Sequence, residues 1–432
     1  MDNLSLPDSE NQTLHAVSAD FLEASGPDLL RRWDRHQAFW DARLAAGLDP
    51  YMRSTTGRVG PTAQALTRGL ERLEGVNFAA QDYLSLSAHP HVLEAAIEAA
   101  RRWGVHSAGS IALQGSSAPL LNLEERLADM LSCREATVFP TGWAAGYGTI
   151  KALVRPGDHI IIDALAHACL QEGAASATPN VHRISHRSAI AAERVLARIR
   201  ATDAQCGILM VTETLFSMDS TVPDIRALQD LCRNYGATLL VDAAHDLGAI
   251  GDGGLGFLSD QAMLGEVDIV IGAFSKTFAS NGGFAAYRAP GLKLALRSFA
   301  NPLTFSNALS PVQAATVLAA IDIIRSAEGA QRRRRLMVNV QRLRGGLEAR
   351  AFTVLGQPSA IVPVDLGSLA QARLMTRAAL AGGALVNLVE HPAVSRRSGR
   401  WRLQVMADHT AEHVDRMVEV AVQAREAVAG GG

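Results

Sequence analysis

The chain predicts an α/β protein: a large domain with a mainly parallel sheet flanked by helices, and a smaller C-terminal α/β domain. Three observations carry this expectation. From about residue 136 to residue 285, short apolar runs alternate without a break with helical stretches, the order that lays parallel strands side by side under crossover helices. The runs themselves, among them H-I-I-I-D (159–163), T-L-L-V (238–241) and V-D-I-V-I-G (267–272), lack polar alternation, as strands covered on both faces do. The 432 residues are 48% hydrophobic and 19% charged, a globular balance in a chain too long for one simple core. The expected division is an N-terminal segment and helix over 1–75, a large domain over 76–325 and a small domain over 326–432.

The elements follow in order. Residues 1 to about 25 read as weakly structured, and 28–46 as an amphipathic helix with Leu29, Trp33, Phe39, Trp40 and Leu44 on its apolar side. A helix over 91–103 leads to a loop of small residues, 104–117, where backbone can approach a ligand or a partner. A-T-V-F-P-T-G-W-A-A-G (136–146) reads strand, turn, helix, with Thr141, Gly142 and Trp143 at the helix N-terminus, where free N–H groups and the helix dipole favour a phosphate. His167 follows the 159–163 strand, and Ser217 follows a strand that starts at Gly207. After a long helix from Pro311, strands at 360–365, 384–389 and 400–407 and a helix from Ala411 build the small domain.

Composition excludes several classes. A net charge of −2 points to no nucleic-acid partner, and the run Arg332–Arg335 reads as a solvated helix face. The four cysteines have no metal-ligand spacing, so no metal is expected. No apolar run approaches the ~18 residues of a membrane span and no signal peptide is visible, so the expected location is the cytoplasm. No G-x-G-x-x-G follows a first strand and no G-x-x-x-x-G-K-[ST] occurs, which removes the main support for dinucleotide and P-loop readings.

What remains is an acid and a lysine, Asp242 and Lys276, each just past the end of a buried strand. In an open parallel sheet that edge is where ligands bind. Singly, each reads as an ordinary surface or strand-end residue. Together, D-x-x-H (Asp242 to His245) followed by S-K-x-x-x-S-x-G-G (Ser275 to Gly283) points to pyridoxal phosphate (PLP). The Lys276 amine holds the cofactor as a Schiff base, Asp242 pairs with the protonated ring nitrogen, and His245 reaches the ring hydroxyl.

With these motifs, the chain from about Asn77 to His409 resembles the α-oxoamine synthases, PLP-dependent enzymes of fold type I, the aspartate aminotransferase-like fold. The resemblance implies Gly142 and Trp143 at the cofactor phosphate; where the family has a phosphate-binding Thr this chain has Ala273, and Ser275 and Thr277, flanking Lys276, are the expected substitutes, Ser275 first. It places His167 on the ring face and near the reacting carbon, and Ser217 by the ring hydroxyl. It gives Gln81 and Arg402 to the substrate carboxylate; the Arg402 fork suits a carboxylate bidentately. Ser306, in L-T-F-S-N-A-L-S-P, would reach the partner's cofactor phosphate in a homodimer with active sites at the interface. The implied reaction is transfer of an acyl group from acyl-CoA or an acyl-carrier protein to an amino acid, with decarboxylation, giving an α-amino ketone. Departures from the family pattern are Gln81 for Asn, Ser85 for Gly, His106 and Ile111 in the small-residue loop, and Ala273 for a phosphate-binding Thr. They leave open another enzyme of this fold, such as an aminotransferase, and a non-catalytic homologue in a heterodimer.

Overall fold

In the computed structural model, which describes residues 9–430, the chain forms two compact units. One comprises 81–217 and 221–335; the other comprises the chain up to Ala80, 218–220 and everything from Leu336 on.

The larger unit is organised by one seven-stranded sheet. Its strands are β1 (Glu135–Phe139), β2 (His159–Asp163), β3 (Val181–Ile184), β4 (Ile208–Glu213), β5 (Thr238–Asp242), β6 (Ile269–Ala273) and β7 (Gly283–Tyr287). Their order is β1-β7-β6-β5-β4-β2-β3, and β7 alone runs against its neighbours. Every residue of β4, β6 and β7 is buried, the reason these runs show no polar alternation. β7 can lie beside β6 because Gly272 carries no side chain: a Cβ there would stand 2.6 Å from Cε1 of Phe284. Side-chain caps start the helices that follow the strands. Thr141 accepts from Ala144 N–H at 3.0 Å ahead of the helix Gly142–Leu153, and Asp224 accepts from Ala227 N–H at 2.9 Å ahead of Ile225–Tyr235.

The smaller unit holds two four-stranded sheets. One joins strands at 54–55, 62–66 and 72–77 to 384–385; the other orders 353–354, 361–365, 400–404 and 388–389. The expected strand at 384–389 is thus two short strands that serve different sheets. A buried ion cluster ties this unit together. Glu390 pairs with Arg373 and, at 3.1 Å, with Arg43, whose side chains are 0% and 1% exposed.

Three further expectations change. Residues 9–21 are ordered: a helix at Ser9–His15 and a 3₁₀ turn at Ser18–Phe21, with Arg373 donating to Thr13 O and Ala16 O at 2.8 and 2.7 Å. The expectation for residues 1–8 lies outside the described residues. The helix expected over 28–46 begins at Asp34, because Asp28 first folds the chain into a turn by accepting from Leu30 and Arg31 N–H. The arginine run is not a uniformly solvated face. Arg332 and Arg333 are 9% and 8% exposed and donate to the carbonyls of Leu84 (3.0 Å) and Ile324 (2.7 Å).

Candidate active site

The carboxyl ends of β4, β5 and β6 open on a cavity of about 240 Å³ in the larger unit. Lys276, three residues beyond β6, and Asp242, the last residue of β5, line it together with His167, His245, Gly142, Trp143 and Ser275. Seven residues far apart in sequence therefore meet at one edge of the sheet.

Each side of the cavity has its own chemistry. On one side is the N-terminus of the helix Gly142–Leu153. Thr141 takes the N–H groups of Ala144 and Ala145, while no hydrogen bond among the described residues takes those of Gly142 and Trp143. Two open amides at a helix start suit an anion. Gly142 is required there: a Cβ would stand 2.5 Å from the Cβ of Ala273.

On the floor lie two carboxyls. Asp242 pairs in register with Glu213, the last residue of β4, so both leave the sheet on the same face. Burial pushes both carboxyls above the usual range. The charges of His167 and Lys276 pull Asp242 back toward ionisation, whereas Asp242 itself pushes Glu213 further up.

The imidazoles flank this floor. His245 Nδ1 and the buried hydroxyl of Tyr83 form a 3.0 Å hydrogen bond. His167 caps the helix Ala168–Ala177: its Nδ1 accepts from Cys169 N–H at 3.3 Å and lies 3.0 Å from Cys169 Sγ. A ring nitrogen that accepts a backbone N–H carries no proton, so in neutral His167 the proton is on Nε2. The backbone N–H of His167 donates to Glu213 Oε1 at 2.6 Å, and Trp143 meets its ring edge-on at 6.0 Å.

Four expected site residues lie elsewhere. Gln81 and Ser217 belong to the larger unit but do not line the cavity. Ser306 is exposed, its hydroxyl bonded to Pro302 O. Arg402 stands on the strand Arg400–Gln404 of the other unit. The residues flanking Lys276 differ from each other: Ser275 lines the cavity, whereas the buried Thr277 hydroxyl has no partner among the described residues, its methyl packed toward Gly248. Sequence reasoning did not assign Glu213, Cys169 or Asn281 to the site. The available signal was that Glu213 ends a buried strand at the same edge as Asp242.

These residues fit PLP: an amine for its aldehyde carbon, a carboxylate for its ring nitrogen and a helix start for its phosphate. The fold and the cavity together define a PLP-dependent enzyme of fold type I. A family profile for aminotransferase class I and II matches residues 74–420, and the chain belongs to that family. Within it the chain is an α-oxoamine synthase, a PLP-dependent C-acyltransferase. It is 35% identical over 384 residues to the 8-amino-7-oxononanoate synthase of Klebsiella pneumoniae (strain 342), covering 88% of this chain and 98% of that one. A serine palmitoyltransferase of S. paucimobilis, solved with PLP and myriocin bound, superposes with a TM-score of 0.86 at 29% identity, over 93% of this chain and 100% of that one. The Sphingomonas wittichii serine palmitoyltransferase gives 0.86 at 29% identity, over 93% and 99%. Among the described residues no helix is long and apolar enough to cross a membrane.

Proposed function

We propose that the protein condenses an amino acid with an acyl thioester, acyl-CoA or an acyl-carrier protein, releasing the thiol and CO2 and forming an α-amino ketone. The observation that carries this reading is the convergence of Lys276, Asp242 and the Gly142 helix start on one cavity. PLP held there supplies an electron sink for the pair left at the substrate's α-carbon. The chain's own residues do the rest. Lys276 would hold the cofactor's aldehyde carbon and, as a free amine, would take the α-proton. Asp242 carries the negative charge that keeps the ring nitrogen protonated, since a nearby anion raises that pKa. His245, which lines the cavity, serves the ring hydroxyl. Gly142, Trp143 and Ser275 receive the phosphate, with Ser306 added from the partner in a homodimer. His167, with its proton on Nε2, would stand at the ring face of the bound cofactor and serve as a donor rather than as the base. Gln81 and Arg402 hold the substrate carboxylate. The four free cysteines agree with a cytoplasmic setting.

The test is thiol release. Purified protein with acyl-CoA of several chain lengths is assayed for free CoA in the presence of glycine, alanine or serine. The expected result is release that depends on one amino acid and yields an amino ketone. Conversion of a keto acid to an amino acid without thiol release would overturn the reading in favour of an aminotransferase.

A further inference from the structure

A third acid lies beneath the cavity floor, in the turn that follows Asp242. Asp246 is 0% exposed and does not line the cavity. Both its oxygens are engaged: Oδ2 accepts from Phe257 N–H at 2.7 Å, and Oδ1 lies 2.5 Å from Thr214 Oγ1. The same Thr214 Oγ1 lies 3.2 Å from the peptide oxygen of Asp242, which also accepts Thr214 N–H at 2.8 Å. Thr214 thus bridges the end of β4, the end of β5 and the buried acid.

Counting protons decides how the bridge works. A hydroxyl has one proton to donate. If Asp246 were ionised, that proton would go to the carboxylate, and the Asp242 peptide oxygen would lose its second donor. If Asp246 is a neutral acid, its Oδ1–H donates to Thr214 Oγ1, Thr214 donates to the Asp242 oxygen, and Oδ2 remains the carbonyl that accepts Phe257 N–H. Only the neutral form satisfies all three contacts.

The charges nearby favour the same form. The titratable and charged groups on the segments around Asp246 are Asp242 and His245 on its own segment, Glu213 next to Thr214, Lys276 beyond β6, Asp260 on the short helix Gly256–Asp260, Asp252 in the turn before that helix, and Arg333, which interacts with Asp252. The charge acting on Asp246 is that of Asp242, of like sign. An unpaired second anion buried there would cost several kcal/mol.

We propose that Asp246 is held as a neutral carboxylic acid and acts as a positioning residue: through Thr214 it fixes the Asp242 peptide, and by staying uncharged it leaves Asp242 as the charged carboxylate under the cofactor ring. This rests on Asp242 being the ring-nitrogen partner. Burial outweighs the hydrogen bonds from Thr214 and Phe257 and pushes the Asp246 carboxyl up to about 7, so its proton is held in mild acid and lost as the pH rises through neutrality. The relay then reverses, and the Asp242 peptide oxygen loses the Thr214 hydroxyl.

The test compares wild type, Asp246→Asn and Thr214→Val. The asparagine keeps an N–H toward Thr214 and a carbonyl toward Phe257 but cannot ionise. PLP affinity, read by visible absorption between pH 6 and 9, is expected to fall about threefold in the wild type, as the Asp242 peptide loses one modest hydrogen bond, and to change less than twofold in Asp246→Asn. Thr214→Val, checked for folding by circular dichroism, is expected to bind PLP more weakly at every pH. An infrared spectrum of cofactor-free protein should show a protonated-carboxyl band that Asp246→Asn removes. The proposal is overturned if the two pH profiles coincide or if that band is absent. Failure of the Asp242 assignment looks different: Asp242→Asn would bind PLP as the wild type does, with the infrared band still present.

Discussion

Replacing Gly142 by alanine tests the phosphate cradle through its most crowded contact. The added Cβ would lie 2.5 Å from the Cβ and 3.3 Å from the Cα of Ala273. Apolar carbons settle at about 3.5–4.0 Å, so the helix start must retreat from β6 by about 1 Å. On its other side Gly142 is pinned as well, since a Cβ on Gly283 would stand 2.6 Å from the Gly142 Cα. Overpacking of this kind costs about 1–3 kcal/mol of stability. Charge-assisted N–H bonds to a phosphate lose most of their strength when stretched by ~1 Å, and each contributes about 1.5–3 kcal/mol. Gly142→Ala should therefore weaken PLP binding by about 10- to 100-fold. Gly142→Ala with Ala273→Gly, which removes the clashing methyl, should regain at least about tenfold of that loss, a coupling expected only of residues in contact. The assay is titration of cofactor-free protein with PLP by absorbance, with a thermal melt in parallel. If Gly142→Ala binds PLP within about twofold of wild type, the phosphate does not sit on this helix. If the double variant shows no rescue, the contact with Ala273 is not what limits the position.

Two further predictions follow from the smaller unit. Glu390→Gln should destabilise the protein by about 3–5 kcal/mol in denaturant unfolding, because it leaves Arg43 and Arg373 buried beside a neutral amide. Burial alone would raise the Glu390 carboxyl, but Arg373 and Arg43 outweigh it and hold it below its ordinary 4.5. Its stabilisation is therefore complete above about pH 4.5 and is lost as pH falls through the lowered value, so the gap between wild type and variant should narrow only in acid. Arg402→Lys should raise the KM for the amino acid about tenfold or more and leave the PLP spectrum unchanged, because an ammonium cannot make the two parallel bonds of a guanidinium. An unchanged KM would remove Arg402 from the substrate site.

What was legible in the sequence was whatever repeats locally. Asp242 and Lys276 stood out because uninterrupted apolar runs announced buried strands and set both residues at the same sheet edge. The helix start at Thr141–Trp143 was legible for the same reason, as a strand running straight into a small-residue turn. Contacts between distant segments were not legible. The order of residues 9–21 depends on Arg373, hundreds of positions away, so a polar N-terminal stretch read as weakly structured. Two arginines of the basic run are buried because they find carbonyls at Leu84 and Ile324, which charge patterning alone does not reveal. Asp246 looks like any polar turn residue until Thr214 and Phe257 are seen to close over it. Ser275 and Thr277 looked equivalent beside Lys276, and only the backbone turn decides that Ser275 faces the cavity.

The central claim is that Lys276 and Asp242 hold PLP in this cavity, and the visible absorption spectrum of the purified protein tests it most directly. The wild type should be yellow, with a band that glycine, alanine or serine perturbs, whereas Lys276→Ala should lose that band and Asp242→Ala should bind PLP far more weakly. A colourless protein that added PLP does not restore, or a band unchanged in Lys276→Ala, would contradict the account.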